Sequence, residues 1–206
     1  ILKDHPINVK RRQEGKNPAN SAWFWGAGTR PALTSFEEKN RVKGAMISAV
    51  DLLKGIAVGA GMHNITVEGA NGGLHTNYAG KGKAAVKALT EEGFDFVYVH
   101  IEAPDEMGHQ GSAPDKIQAI ESIDSQVIGP VADALKEAGV DFRMLVLPDH
   151  PTPVRVRTHV SDPVPYMLYD STKEAAGKET YCERTGRETG VVIAEGYRMM
   201  DHLLGK

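Results

Sequence analysis

His100 to Gly111 reads HIEAPDEMGHQG. Asp105 and His109 stand four residues apart, just after FDFVYVHIE, whose β-branched and aromatic residues read as a buried strand. A buried strand has no structural use for an acid and an imidazole at its end; a bound cation can use both. A second apolar segment, DFRMLVLP, ends the same way, in Asp149 and His150, and PTPVRVRTH then brings His159. Open α/β sheets build their sites at the carboxyl ends of strands. Carboxylates together with neutral imidazoles suit Mn²⁺, Zn²⁺, Co²⁺ or Fe²⁺. Five such donors are too many for one catalytic ion with an open position and reasonable for two. Two ions about 3.5–4 Å apart are a common device of phosphoryl chemistry. Each short motif alone has a plainer reading, Asp105 as a turn cap and His159 as a hydrogen-bonded loop residue. Their joint placement after strands is what favours a metal site. His100, inside the strand pattern, reads as a packed histidine, and His5, His63, His75 and His202 as surface residues.

Alternating strand and helix patterns surround these motifs. GAMISAV reads as a strand and DLLKGIAVGAGM as a helix opened by Asp51. NITVEGA reads as a short strand, and NYAGKGKAAVKALTEEG as a helix ended by Gly93. Ser112 to Gly139 reads as one long helix, capped by Ser112, with Pro114 in its first turn. Ile117, Ile120, Val127, Val131 and Leu135 fall mostly on one face of it, with Asp124 oddly close to that face. DFRMLVLP and VPYMLYD read as strands and TGVVIAEGYRMMDHLLG as a closing helix. The alternation predicts an α/β fold with a mostly parallel sheet. Residues 1 to about 41 read instead as polar and irregular, with two tryptophans in SAWFWGAGTRP beside a glycine turn.

Composition narrows the function classes. A chain of 206 residues buries roughly 70% of its unfolded surface and needs no staples. A net charge of −3 gives no global reason to expect nucleic acid or an acidic membrane, and the basic run KRRQEGK reads as a solvated face. Cys182 is the single cysteine, so no disulfide framework is possible and a reducing, cytoplasmic compartment is expected. No apolar run reaches the roughly 18 residues of a membrane span. No G-x-x-x-x-G-K-[ST] occurs, which disfavours a nucleotide kinase.

EAPDEMGHQG, LPDHPTP and RTHVSDPVPY together resemble the cofactor-independent (2,3-bisphosphoglycerate-independent) phosphoglycerate mutases of archaeal type, within the alkaline phosphatase superfamily. HPINVKRRQEGKNPANSAWFWGAGTRP, GAMISAVDLLKGIAVGAGM and GANGGLHTNYAGKGKAA extend the resemblance over nearly the whole chain. It implies a three-layer α/β core of alkaline-phosphatase type acting on phosphoglycerate at a site with two divalent ions. Manganese is the first expectation, with zinc, cobalt and magnesium as alternatives. By position, Asp105, His109 and His159 match the ligands of one ion, and Asp149 and His150 ligands of the other. Lys54 matches a lysine near the phosphoserine, Arg11 and Asn20 match the substrate-binding segment, and Asp162 stands where it can brace His159. The implied reaction interconverts 3-phosphoglycerate and 2-phosphoglycerate through a phosphoserine.

The resemblance also has a gap. The family's serine nucleophile and an aspartate ligand lie near its N-terminus, and no segment here matches them. Ser21, Ser35 and Ser48 lack the nucleophile's surroundings. Because the text at Ile1 reads as mid-chain, the expectation is a C-terminal part of the enzyme, inactive alone. Residues 1–42 would be a remnant of the inserted substrate domain and 43–206 part of the metal-binding core. An incomplete core is expected to associate through exposed sheet edges and apolar surface. The competing readings are another phosphatase or a phosphopentomutase of the same superfamily, and a non-catalytic α/β domain that binds metal structurally.

Overall fold

Pro6–Gln13 forms α1 in a computed structural model that describes residues 2–24, 26–29, 31–173, 177 and 180–206. Ile1, Trp25 and Arg30, which enter the readings above, lie outside the described residues. The His5 imidazole accepts from the Ile7 N–H at the helix start, Pro6 fits the first turn, and Lys10, Arg11 and Arg12 sit in the last turn where the helix dipole favours cations. This region is therefore less irregular than its composition suggests. Its organiser is Asn8, which is buried. The Asn8 amide donates to the carbonyls of Leu2 at 2.7 Å and Ala19 at 2.8 Å, and its oxygen accepts from the Ala19 N–H at 2.8 Å. A polar segment can fold around a polar centre when all of that centre's bonds are made.

The chain divides into two compact units, Ile1–Ala32 and Leu33–Lys206. The second unit begins with α2 (Phe36–Asn40), capped by the Ser35 hydroxyl. It continues through β1 (Gly44–Ile47), α3 (Asp51–Gly59), β2 (His63–Asn64), α4 (Tyr78–Thr90), β3 (Phe96–Val99), α5 (Ala103–Gln110) and α6 (Ala113–Ile123). A π-helical turn (Asp124–Ile128) leads into α7 (Gly129–Glu137), followed by β4 (Arg143–Val146), β5 (Met167–Asp170), α8 (Glu183–Glu188) and α9 (Met199–Leu204).

Two sheets result. One is parallel in the order β2-β1-β3, with Gly44 opposite Phe96 and Ile47 opposite Val99. Every residue of β1 is buried, as a central parallel strand with covered faces requires. Gly44 is needed there, because a Cβ would come within 2.9 Å of the Phe36 ring, which stacks on Phe96 at 4.9 Å. The other sheet pairs β4 with β5 antiparallel. No helix among the described residues joins these two strands, so β5 returns antiparallel instead of crossing over. The core gathers Tyr78, Ala103, Ala119, Val127, Val131 and Leu135.

Three segments differ from the sequence reading. NITVEGA supplies only His63–Asn64 as strand. The closing helix shrinks to a 3-10 turn at Gly196–Arg198 and then α9, because Val191, Val192 and Gly196 are poor helix formers and both valines are exposed. The long helix is present but contains the π-turn. Pro130 has no N–H and its ring clashes with the carbonyl four residues back, and one wider turn relieves both. The wider turn also shifts the phase of the helix. Val127, Val131 and Leu135 are buried, whereas Ile117 and Ile120 are about half exposed and Asp124 faces solvent.

The β4–β5 pair is tied by Asp170. Its carboxylate accepts from the Thr172 hydroxyl at 2.6 Å and from Arg143 at 2.9 Å, with Lys173 at 3.3 Å. These bonds, Thr172's first, hold the Asp170 carboxyl well below the usual carboxylate range. A carboxyl that binds its proton more weakly folded than unfolded stabilises the fold above about pH 4 and loses that contribution as the pH drops below it. Asp170→Asn is therefore expected to flatten the fall of the melting temperature between about pH 4 and pH 2. Melting curves of both proteins across that range check it, and parallel curves would count against the assignment.

Candidate metal centre

Asp105 and His109 lie on α5, one helical turn apart and so on one face. Pro104 sits in the first turn, and Gly111 ends the helix with φ +75°, a conformation that favours glycine. The strand therefore gives way to a short helix that aims both side chains the same way. Asp149 and His150 follow β4 after Leu147 and Pro148. His159 arrives on the next loop, where the N–H groups of Val156 and Arg157 both donate to the Pro153 carbonyl at 2.9 Å.

These segments converge. His109 Nε2 lies 3.3 Å from Asp105 Oδ2 and 3.2 Å from His159 Nε2. His159 Nε2 is 3.3 Å from Asp105 Oδ1. The His150 and His159 rings lie with centroids 3.7 Å apart. Asp105, His150 and His159 each offer a ligand atom within 4.8 Å of the others. Asp149 stands beside His150, with 3.4 Å between Oδ2 and Nε2, and is the most exposed of the set. Asp105, His109, His150 and His159 thus come together from two strand ends and a loop, with Asp149 beside His150 at the solvent edge.

The protons fit a cation. His109 Nδ1 lies 3.0 Å from the Arg157 carbonyl. A carbonyl only accepts, so Nδ1 carries a proton and Nε2 is the atom turned to the cluster. Metal-binding histidines are usually oriented by such a second bond. Arg157 adopts φ +60°, uncommon for a residue with a Cβ. Imidazole nitrogens and a carboxylate packed at 3.2–3.3 Å are an arrangement that a divalent ion can complete. His159 and His109 keep substantial solvent access, which leaves room for a further ligand.

Lys54 and Asp162 share no bond with this cluster among the described residues. Lys54 is on α3, and its ammonium pairs with Asp51 at 3.2 Å. Arg11 donates from Nε to the Asn17 carbonyl at 2.8 Å, and Asn20 is exposed; both belong to the first unit. Asp162 is exposed.

Sequence reasoning passed over three supporting residues. Thr152 is buried, and its hydroxyl donates to Asp105 Oδ1. Lys116 donates to the Thr152 carbonyl at 2.8 Å, and burial pulls its ammonium pKa down. Lys81 on α4 is wholly buried and donates to the His100 carbonyl at 3.0 Å, at the exit of β3. Burial lowers its pKa while nearby Glu102 acts against that, and burial raises Glu102. His100 is half-buried beside the Ser48 hydroxyl at 3.2 Å, and burial holds its pKa below the ordinary value. Thr152 stands inside the quoted LPDHPTP motif; Lys81 carried no signal beyond helix propensity.

Residues 3–204 match the family model of the metalloenzyme superfamily, so the chain belongs to that superfamily. The chain is 47% identical over its whole length to a probable 2,3-bisphosphoglycerate-independent phosphoglycerate mutase of Geobacter sulfurreducens, of which it covers 51%. It is 48% identical over 99% of its length to 2,3-bisphosphoglycerate-independent phosphoglycerate mutase 2 of Methanothermobacter thermautotrophicus, of which it covers 50%. The chain therefore spans about half the length of the curated relatives it matches. Among solved structures, a protein from Pyrococcus horikoshii superposes with a TM-score of 0.77 at 32% identity, over 99% of this chain and 53% of that one. The cofactor-independent phosphoglycerate mutase from Thermoplasma acidophilum gives 0.65 at 28% identity, over 100% of this chain and 48% of that one. The α/β class expected from the sequence holds, and the chain carries part of the core its relatives share. No helix among the described residues is long and apolar enough to cross a membrane.

Proposed function

We propose that this chain supplies the metal-binding part of a cofactor-independent phosphoglycerate mutase, which interconverts 3-phosphoglycerate and 2-phosphoglycerate. The observation that carries the reading is the convergence of Asp105, His109, His150 and His159 from two strand ends and one loop. The near-full-length similarity to proteins named as such mutases supports it. Asp105, His109 and His159 would hold one divalent ion, and Asp149 and His150 would contribute to a second, with manganese the first choice. When bound, such ions neutralise charge on a transferring phosphoryl group and lower the pKa of an attacking hydroxyl.

The chain's own residues then bind and orient. Lys54 holds phosphoryl oxygens once it leaves Asp51, an exposed pair whose rupture costs about 1 kcal/mol or less. Arg11 and Asn20, in a segment 1–42 that belongs to a substrate-binding domain, hold the phosphate and carboxylate of the glycerate. Residues 43–206 form part of the core. The phosphoryl group passes to a serine that no segment here matches, and returns to the other hydroxyl of the same glycerate. Nothing in this scheme needs nucleic acid or a membrane, and the single cysteine suits a cytoplasmic enzyme.

The test joins this chain to the N-terminal half of the Geobacter sulfurreducens relative and assays 2-phosphoglycerate formation with Mn²⁺ present. Activity of the joined protein, its loss in His159→Ala, and silence of the chain alone are expected. Release of inorganic phosphate without 2-phosphoglycerate would replace the reading by a phosphatase of the same superfamily.

A further inference from the structure

We propose that Thr152 is a positioning residue that locks the two strand-end segments together and sets the tautomer of His150. The inference rests on the metal-site reading above. Thr152 is 3% exposed, and its hydroxyl lies between Asp105 on α5 and His150 in the loop after β4. It donates to Asp105 Oδ1 and stands 3.3 Å from His150 Nδ1. A hydroxyl has one proton and two lone pairs. With the proton directed to the carboxylate, only an accepting lone pair is left for His150. Nδ1 must then carry a hydrogen, so the neutral ring has its lone pair on Nε2, the atom 3.4 Å from Asp149 Oδ2. One oxygen thus orients the carboxylate from α5 and fixes the ring that follows β4.

The backbone of Thr152 is clamped as firmly. Its carbonyl accepts from Lys116 Nζ at 2.8 Å, which ties the loop to α6. Gly108 of α5 packs directly against it. A Cβ at position 108 would collide with the Thr152 carbonyl and come 3.1 Å from Lys116 Nζ. On the far side of the loop, the Val160 N–H donates to the Pro151 carbonyl at 3.1 Å, next to His159. Thr152 therefore registers the segment that carries His150 and His159 against the helix that carries Asp105 and His109, beside the bond from His109 to the Arg157 carbonyl.

The experiment compares the full 206-residue chain with Thr152→Val, which keeps the shape and removes the hydroxyl, and Thr152→Ser, which keeps the hydroxyl. Nitrogen-15 NMR of the metal-free chains, followed upward in pH until the ring signals stop moving, reads the tautomer of His150. Titration calorimetry with Mn²⁺ reads affinity. The wild type should show the Nδ1–H form of His150, and Thr152→Val a shift toward the other tautomer. Mn²⁺ affinity should fall about 10–100-fold in Thr152→Val and stay within about threefold in Thr152→Ser. An Nε2–H ring in the wild type overturns the proposal, whether or not the valine variant folds. So does a valine variant with unchanged tautomer and affinity, or a serine variant as weak as the valine. If the wild type binds no Mn²⁺, the metal-site reading fails, and the tautomer of His150 still decides the role of Thr152.

Discussion

Asp105→Ala is expected to weaken Mn²⁺ binding by the 206-residue chain by more than about 100-fold, or about 2.7 kcal/mol. Asp105 is the hub of the cluster. Oδ2 faces His109 and Oδ1 faces His159, both at 3.3 Å, while the Thr152 hydroxyl donates to Oδ1. It is also the carboxylate held inside the group, since Asp149 has most of its side chain in solvent. Without it, neutral imidazoles face a divalent cation with little negative charge to balance it. Loss of a residue that only braces a ligand typically costs 10–100-fold, so loss of the ligand itself should exceed that. Asp105→Asn separates charge from shape, because the amide oxygen can still accept from Thr152. It should bind nearly as poorly as the alanine variant. Titration calorimetry on the metal-stripped proteins measures both. Wild-type affinity in either variant would place metal binding elsewhere in the chain.

Lys81→Ala should destabilise the fold by about 3 kcal/mol, from a cavity of large-to-small type and an orphaned carbonyl. For a chain of this size that lowers the melting temperature by about 6–12 °C. Lys81 is fully buried, and its ammonium holds the His100 carbonyl where β3 turns toward α5. Lys81→Met keeps the stem and removes both the donor and a desolvated charge, so its loss should be smaller. The two variants should also differ from the wild type in alkali. Burial lowers the folded pKa of Lys81, so the charged amine weakens the fold at neutral pH. That penalty is relieved as the pH rises through the folded value toward the unfolded one near about 10.4. The wild type should therefore gain stability relative to Lys81→Met over that range. Urea unfolding at a series of pH values measures these differences. An alanine variant as stable as the wild type would contradict the packed role of Lys81.

Residues with strong local patterns carried most of what could be read in advance. β1 and β3 are short apolar runs bounded by polar text, and both form strands. Ser112 and Gly139 bound the long helix as their types suggest, the one by its hydroxyl and the other by a φ of +66°. The phase of that helix was not legible, because Pro130 shifts it by a π-turn whose consequence is the exposure of Ile117 and Ile120. Nor was Lys81, since helix periodicity says which residues share a face but not that a buried lysine reaches a carbonyl just past the end of β3.

By itself, the sequence determined the α/β alternation, the acids and imidazoles placed after two strands, and the four-residue spacing that puts Asp105 and His109 on one face once α5 forms. These depend on periods of two and 3.6 residues, which are local properties of the backbone. Only the tertiary structure decided that His109 meets His159 fifty residues away, that β5 returns antiparallel, and that the Arg157 carbonyl and the Thr152 hydroxyl set the protons of the cluster. Those outcomes depend on how buried polar groups find partners across the packed chain, and no local period encodes that.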